Sequence, residues 1–120
     1  MSAVPCVLII DDDEAIRDTL HDLLKLEGYS VLLAGDGESG VALLDNHPEI
    51  EIVLLDLMLP TMHGEEAMKL IRERRSDLPI VIITANHAWR MPSGLLPPGD
   101  VLMKPFEADR LLQIVERFLT

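Results

Sequence analysis

Four short apolar runs in this 120-residue chain each end in a polar side chain that can carry chemistry. The runs occupy residues 7–10, 52–55, 80–83 and 101–103. The polar residues that follow them are Asp11, Asp56, Thr84 and Lys104. Runs this short and this apolar are typical of strands covered on both faces of a parallel sheet. Because parallel strands end at a shared edge, outside which ligands bind, we expect these polar groups to meet there.

The first run is followed by three consecutive acids, Asp11, Asp12 and Asp13. Carboxylates that crowd around Asp56 at one sheet edge repel one another unless a cation joins them. Oxygen ligands suit a hard divalent cation, so the sequence predicts a Mg²⁺ site at this edge. The alternative is that Asp11 and Asp13 only cap the next helix, where aspartate is common. Three acids in a row exceed what a cap needs, which favours the metal site.

Strand and helix patterns alternate along the chain, which predicts an α/β fold. The expected architecture is flavodoxin-like and doubly wound, with five parallel strands and helices on both faces of the sheet. Strands are expected near 6–10, 30–34, 51–55, 79–83 and 100–103. Helices are expected over 14–27, 38–46, 65–75 and 107–119, with Asp36 as the N-cap of the second. At this length we expect one domain covering residues 1–120.

The connection between the fourth and fifth strands differs from the other connections. Residues 86–100 contain three prolines and two glycines. Proline blocks the helical hydrogen-bond pattern and drives the preceding residue out of the α region. We therefore expect the fourth helix to be short or missing, with at most one helical turn near 88–91.

Charge and composition exclude several classes of function. Ten basic and 21 acidic residues give a net charge of −11, which argues against direct binding to nucleic acids or anionic membranes. The single cysteine, Cys6, excludes an internal disulfide and fits a reducing compartment. The chain contains neither an apolar run long enough to span a membrane nor a signal peptide. We expect a cytoplasmic protein without membrane insertion, and a monomer.

The chain resembles the receiver domain of two-component response regulators along almost its whole length. The resemblance is carried by four motifs, at 7–17 (VLIIDDDEAIR), 53–64 (VLLDLMLPTMHG), 81–85 (VIITA) and 102–106 (LMKPF). One such motif would be a weak signal. Four motifs in order at strand ends, with consistent spacing, form a specific one.

The resemblance implies a role for each acid and for one main-chain carbonyl. Asp56 would accept a phosphoryl group from a phosphohistidine on a histidine kinase or a histidine phosphotransfer domain. Asp12, Asp56 and the carbonyl of Met58 would bind Mg²⁺ directly, and Asp11 would act mainly through water.

Two further residues complete the site that the resemblance implies. Thr84 would hydrogen-bond a phosphoryl oxygen, and Lys104 would form an ion pair with the phosphoryl group. The Lys104–Pro105 bond is a candidate cis peptide. Such a domain is a signalling protein that catalyses its own phosphorylation and dephosphorylation, and it is not an enzyme acting on other substrates.

The sequence departs from the family at the surface that usually signals phosphorylation. Receivers commonly carry Tyr or Phe three residues before the lysine, whereas this chain has Val101 there. The expected loss of the fourth helix alters the same surface. This combination resembles receivers of hybrid sensor kinases, or stand-alone receivers, more than those that drive a DNA-binding domain.

The first alternative function is dinucleotide binding. Residues 35–40 (GDGESG) match the G-x-G-x-x-G pattern, after a strand and before a helix, and Asp56 lies about 20 residues further on. However, Asp36 and Glu38 would lie beside a pyrophosphate, and the chain has no second nucleotide-binding half. The pattern is better explained as a glycine-rich turn.

The second alternative is a phosphatase of the haloacid dehalogenase type. Asp11 and Asp13 are spaced like the nucleophile and the acid of that family, and Thr84 is placed like its threonine. That family usually needs cap insertions and a later acidic pair, and the 86–100 segment supplies only Asp100. The nucleophile would be Asp11 in this case and Asp56 in a receiver, so the position of a phosphoryl or beryllofluoride adduct separates the two.

Overall fold

The computed structural model describes residues 4–59, 62–90 and 99–119. The strands of the described residues are β1 (Cys6–Ile10), β2 (Ser30–Ala34), β3 (Ile50–Asp56), β4 (Ile80–Thr84) and β5 (Gly99–Met103). The helices are α1 (Glu14–Leu26), α2 (Gly37–Asn46), α3 (Gly64–Arg74) and α4 (Ala108–Leu119). Every one of these elements lies within one residue of its predicted bounds at each end.

The five strands form one parallel sheet in the order β2-β1-β3-β4-β5. The chain runs outward from β1 to β2 and then returns to the other side of β1 to form β3. This reversal opens a crevice at the C-terminal ends of β1 and β3, the place where open α/β sheets bind ligands. Asp11 follows β1 directly and Asp56 is the last residue of β3. The predicted doubly wound, flavodoxin-like fold is confirmed.

Helices cover both faces of the sheet, and each face has its own apolar core. Alternate β1 residues point to opposite faces, as they must in a strand. Leu8 and Ile10 join the core under α2 and α3, whereas Val7 and Ile9 join the core under α1 and α4. Both faces of β1, β3 and β4 are therefore buried, which explains why those strands are nearly continuous apolar runs.

Local capping fixes where α1 and α2 begin and where α1 ends. The Asp13 carboxylate accepts from the amides of Ala15 and Ile16, and the Asp36 carboxylate accepts from Ser39 N at 2.7 Å. The predicted Asp36 N-cap is confirmed. Gly28, at φ +94°, takes the left-handed conformation that follows the end of α1.

The segment after β4 contains a turn at 87–88 and no helix over the described residues 85–90. Trp89 in this segment is 9% exposed and packs into the core on the α2 and α3 face. A single indole thus covers part of that face of the sheet. This is consistent with the predicted short or missing fourth helix. The part of that prediction that concerns 91–98 lies outside the described residues.

Candidate functional site

Asp11 is held at the end of β1 by main-chain and side-chain contacts. Its amide donates to the carbonyl of Ala34 in β2 at 3.1 Å, which extends the strand pairing by one residue. Its Oδ1 atom accepts from Asp13 N at 2.9 Å. The residue is only 1% exposed, so the turn after β1 presents a buried carboxylate in one fixed orientation.

Asp56 lies opposite Asp11 across the crevice and is also buried. Its Oδ1 atom accepts from Met58 N at 3.0 Å. Lys104 approaches from the end of β5, with Nζ 3.6 Å from Asp56 Oδ2 and 3.9 Å from Asp11 Oδ2. The structure therefore brings the predicted amine and two of the predicted carboxylates to one point.

The third acid of the site is Asp12, which is exposed. One carboxylate oxygen from each of Asp11, Asp12 and Asp56 can be chosen so that all three lie within 4.8 Å of one another. Asp11 Oδ2 is buried and has no hydrogen-bond partner among the described residues. A buried acceptor of this kind is costly unless a cation or a donor satisfies it. Three carboxylates and one unsatisfied oxygen form a donor set that fits a hard divalent metal.

The electrostatics of Asp11 also favour a cation at this site. Burial, above all, raises the pKa of Asp11 to about 6. The nearby charge of Asp56 acts in the same direction, whereas the Asp13 amide and the charge of Lys104 oppose the rise. Without a cation, this cluster therefore favours a proton on Asp11.

Thr84 ends β4 and is 2% exposed. Its hydroxyl oxygen accepts from Asn86 N at 3.0 Å, and its carbonyl accepts from Lys104 N at 2.8 Å. The residue before it, Ile83, is paired in register with Asp56 on the neighbouring strand. The ends of β3, β4 and β5 are thus fixed relative to one another at the crevice.

Two other sequence expectations concern the rim of the crevice. Met58 follows Asp56 closely and is 69% exposed. The Lys104–Pro105 peptide is cis, as expected.

Among the described helices, none combines the length and the apolar character that crossing a membrane requires.

A family model described as the response regulator receiver domain matches residues 7–116 of this chain. The chain belongs to the response regulator receiver domain family. The match includes all five residues whose side chains are assigned to the crevice, namely Asp11, Asp12, Asp56, Thr84 and Lys104. The resemblance seen in the four sequence motifs is confirmed.

Curated relatives of this receiver domain are response regulators. The chain is 38% identical over 108 residues to the response regulator MprA of Mycobacterium sp. (strain KMS), covering 88% of this chain and 46% of that protein. It is 33% identical over 115 residues to the transcriptional regulatory protein CpxR of Escherichia coli, covering 94% of this chain and 48% of that protein. The chain thus spans about half the length of the curated relatives it matches.

Solved structures of receivers share the fold. The chemotaxis protein CheY4 of Vibrio cholerae superposes with a TM-score of 0.87 at 26% identity, covering 97% of this chain and 99% of that one. A CheY of Borrelia burgdorferi, solved in complex with CheX, BeF3 and Mg²⁺, superposes with a TM-score of 0.86 at 29% identity. That match covers 97% of this chain and 90% of that one.

Neither alternative function is supported by the comparisons, and the local structure explains the patterns that suggested them. A side chain at Gly37 would meet the Met62 sulfur at 2.7 Å, and one at Gly40 would clash with Ile10 Cδ1. These glycines therefore allow α2 to pack closely. Asp13, the expected acid of the phosphatase alternative, has one carboxylate oxygen bound to the first turn of α1.

One feature near the crevice could not be found from the sequence. The Trp89 indole N–H donates to Glu65 Oε2 at 2.7 Å, which links the segment after β4 to the first turn of α3. The residues are 24 positions apart, and neither belongs to a motif. Only the position of Trp89 in a segment that lacks a helix hinted at a packing role.

Proposed function

We propose that this receiver domain is a phosphoacceptor in two-component signalling and that Asp56 is the residue that is phosphorylated. The observation that carries the proposal is the position of Asp56. Its carboxylate shares one crevice with two other carboxylates and lies 3.6 Å from the Lys104 amine. A nucleophilic carboxylate needs a cation beside it when a negatively charged phosphoryl group arrives, and this crevice offers both a lysine and a metal donor set.

Asp12, Asp56 and the main-chain carbonyl of Met58 would hold Mg²⁺, with Asp11 acting mainly through water. When bound, the metal supplies positive charge to the oxygens of the phosphoryl group. The unsatisfied Asp11 Oδ2 atom and the three-oxygen donor set support this assignment. Asp11 is fixed by its own backbone contacts and can orient a water without moving.

The transfer step forms a bond between an Asp56 carboxylate oxygen and phosphorus. The bond from phosphorus to a histidine nitrogen of the partner breaks, and its electron pair remains on that nitrogen. Lys104 then leaves the two carboxylates and forms a charge-assisted ion pair with the phosphoryl oxygens. Thr84 lies at the end of the neighbouring strand and donates its hydroxyl hydrogen to another of these oxygens. Attack of water on phosphorus later breaks its bond to the Asp56 oxygen, which releases inorganic phosphate and restores the free carboxylate. The domain thus catalyses both reactions on itself.

A histidine kinase or a histidine phosphotransfer domain would supply the phosphoryl group. An apolar groove of about 620 Å³ runs between α1 and the start of α4 and opens beside Lys104. Ile16, Leu20, Leu23 and Phe106 are among the residues that line it. Because the groove is continuous with Lys104, a partner helix seated there would carry its phosphohistidine to the crevice. We propose that the donor domain binds in this groove.

The groove can be tested with one substitution and a matched control. Leu23→Glu places a charge in the groove, whereas Leu26→Glu makes the same change on the same helix at a side chain that is 83% exposed. We expect Leu23→Glu to slow transfer from a phosphotransfer domain while leaving phosphorylation by a small phosphodonor unchanged. Equal transfer rates in the two variants would contradict a donor site in this groove.

The phosphoacceptor is tested by incubating the chain with a small phosphodonor and Mg²⁺ and mapping the phosphorylated residue by mass spectrometry. We expect one phosphoryl group on Asp56, none in Asp56→Asn, and residual phosphorylation in Asp11→Asn. A phosphoryl group on Asp11 in the wild type would instead favour the phosphatase chemistry.

We also propose a setting for this chemistry. Residues 1–120 would form one receiver domain that is monomeric and works in the cytoplasm. The loss of the aromatic residue at position 101 and the absence of a helix over 85–90 support a stand-alone receiver or one attached to a hybrid sensor kinase. The acidic net charge of −11 supports signalling through proteins without direct contact with nucleic acid.

A further inference from the structure

The guanidinium of Arg17 contacts the backbone of the acidic turn. Arg17 lies in the first half of α1, and its Nη1 atom donates to the main-chain carbonyl of Asp11 at 2.7 Å. Within the described part of the chain it forms no ion pair with a carboxylate within 4.0 Å, although three acids precede α1. The charge of this side chain is therefore used to hold a carbonyl group at the point where β1 ends.

This contact completes the anchoring of Asp11. The amide of Asp11 is bound to Ala34, its Oδ1 atom to Asp13, and its carbonyl to Arg17. Only Oδ2 remains without a hydrogen bond, and it lies in the carboxylate cluster. Since the peptide group between Asp11 and Asp12 includes the carbonyl that Arg17 binds, the same contact also sets the direction in which Asp12 leaves the strand.

The end of β2 leaves room for the guanidinium. A side chain at Gly35 would place its Cβ 3.1 Å from Arg17 Nη1 and 3.7 Å from Arg17 Cζ. The backbone of Gly35 does not adopt a positive φ. Glycine at position 35 therefore makes room for the Arg17 side chain. The backbone conformation at this position does not itself require glycine.

We propose that Arg17 is a positioning residue for the metal-binding turn: it holds the Asp11–Asp12 peptide through the Asp11 carbonyl, and Gly35 provides the space for it. The inference rests on the proposed Mg²⁺-dependent phosphorylation of Asp56. Arg17 is assigned no contact with the phosphoryl group or the metal. It acts on the geometry of Asp12, a proposed metal ligand, and of Asp11, which acts mainly through water.

The sign of the effect separates positioning from simple electrostatics. Removal of a positive charge near an acidic cluster strengthens the attraction of that cluster for a cation. Removal of a contact that orients metal ligands weakens metal binding, typically by ten- to a hundredfold in affinity. The two explanations therefore predict opposite changes in Mg²⁺ affinity when Arg17 is replaced by an uncharged side chain.

The experiment is an NMR titration of the metal-free chain with MgCl2, following the amides of Asp12 and Asp13. We compare Arg17→Met, Gly35→Ala and the double variant, with Lys25→Met as the control. Lys25 is exposed on the same helix and carries the same charge. Thermal unfolding confirms that each variant is folded. Phosphorylation by a small phosphodonor is then measured as a function of Mg²⁺ concentration.

We expect Arg17→Met to weaken Mg²⁺ binding about tenfold and Lys25→Met to leave it unchanged or slightly stronger. Gly35→Ala should weaken binding in the wild-type background and have no further effect in the Arg17→Met background, because both changes remove one contact. In Arg17→Met and in Gly35→Ala, the Mg²⁺ concentration that gives half the maximal phosphorylation rate should rise. At saturating Mg²⁺ the phosphorylation rate should return to that of the wild type.

Unchanged or tighter Mg²⁺ binding in Arg17→Met would overturn the inference, as would an effect of Gly35→Ala that persists without Arg17. If Arg17→Met does not fold, Gly35→Ala decides alone, and unchanged affinity in that variant overturns the inference. Failure of the wild type itself to bind Mg²⁺ would contradict the proposed function, and this inference with it.

Discussion

The carboxylate cluster at the ends of β1 and β3 and the segment 85–90 after β4 are held in place by different kinds of contact. Asp11 and Asp56 are anchored by main-chain amides next to buried strands. The segment after β4 is held by the burial of one side chain, Trp89, and by its bond to Glu65. The carboxylate cluster is therefore the fixed region, because main-chain contacts hold it. The segment 85–90 can shift if a few side-chain contacts change.

A path of hydrogen bonds joins the two regions. The Thr84 hydroxyl oxygen accepts from Asn86 N, and the Asn86 carbonyl accepts from Trp89 N at 3.1 Å. Trp89 then donates to Glu65 in the first turn of α3. Under the proposed phosphorylation of Asp56, a phosphoryl group that draws the Thr84 hydroxyl toward Asp56 would disturb the first of these bonds. We therefore propose that Trp89 reports the phosphorylation of Asp56 in this receiver.

The largest effect is expected from Asp12→Ala, which removes a proposed metal ligand from the fixed region. We expect the affinity for Mg²⁺ to fall by more than about tenfold, since even outer contacts of a metal site are worth that much. Titration of the metal-free chain with MgCl2, followed by NMR, measures the change. Asp18→Ala removes the same charge from an exposed position on α1 and should change the affinity little. Equal affinities in Asp12→Ala and the wild type would remove Asp12 from the site.

A second prediction concerns Asp11 in the metal-free chain. Its pKa in the folded protein is about 6, above the usual 3.8, so the folded state binds this proton more tightly than the unfolded state. The contribution is favourable at low pH and is lost as the pH rises from about 4 through 6. Asp11→Asn should remove this loss and raise the free energy of unfolding at pH 7 by roughly 3 kcal/mol.

Denaturant unfolding at several pH values, without Mg²⁺, measures this difference for Asp11→Asn. Below pH 4 the variant and the wild type should be about equally stable, because the wild-type carboxyl is then protonated in both states. With saturating Mg²⁺ the advantage of Asp11→Asn at pH 7 should shrink, since the metal stabilises the folded wild type more than a variant that lacks one of the three acids. A stabilisation that is equally large at pH 4 would show that the charge of Asp11 is not its cause.

A smaller effect is expected in the second region, from Glu65→Gln. The Trp89 indole would then donate to a neutral oxygen, and a charge-assisted bond would become an ordinary one. We expect a loss of about 0.5 to 1 kcal/mol in the free energy of unfolding, relative to Glu66→Gln. Glu66 is an exposed acid in the same turn of α3, so both variants lose the same charge at the same helix end. Equal stabilities would mean that the bond to Glu65 does not hold the segment.

The sequence predicted the fixed region well because polar residues at strand ends follow from the apolar pattern itself. A buried parallel strand must be apolar, and its last residue must reach the shared edge of the sheet. Asp11, Asp56, Thr84 and Lys104 were found in this way, and each lies at the crevice. The bounds of the elements were close for the same reason, with Asp36 marking the start of α2.

The sequence could not predict the contacts that depend on how helices and loops pack. Arg17 and Trp89 stand among many charged and apolar residues with no distinguishing pattern around them. Their partners, the carbonyl of Asp11 and the carboxylate of Glu65, become visible only when β1, α1 and α3 are placed in space. Gly37 and Gly40 illustrate the converse, because their spacing matched a nucleotide-binding pattern and their role is close packing.

The most direct test is a crystal structure of the chain with beryllofluoride and Mg²⁺. We expect beryllium bound to an Asp56 carboxylate oxygen, Mg²⁺ contacting Asp12, and Lys104 moved from the carboxylates to a fluoride. We also expect a displaced segment after Thr84, with a changed contact between Trp89 and Glu65. An adduct on Asp11 would contradict the assignment of the phosphoacceptor, and an Asp56 adduct with residues 85–90 unchanged would contradict the role of Trp89.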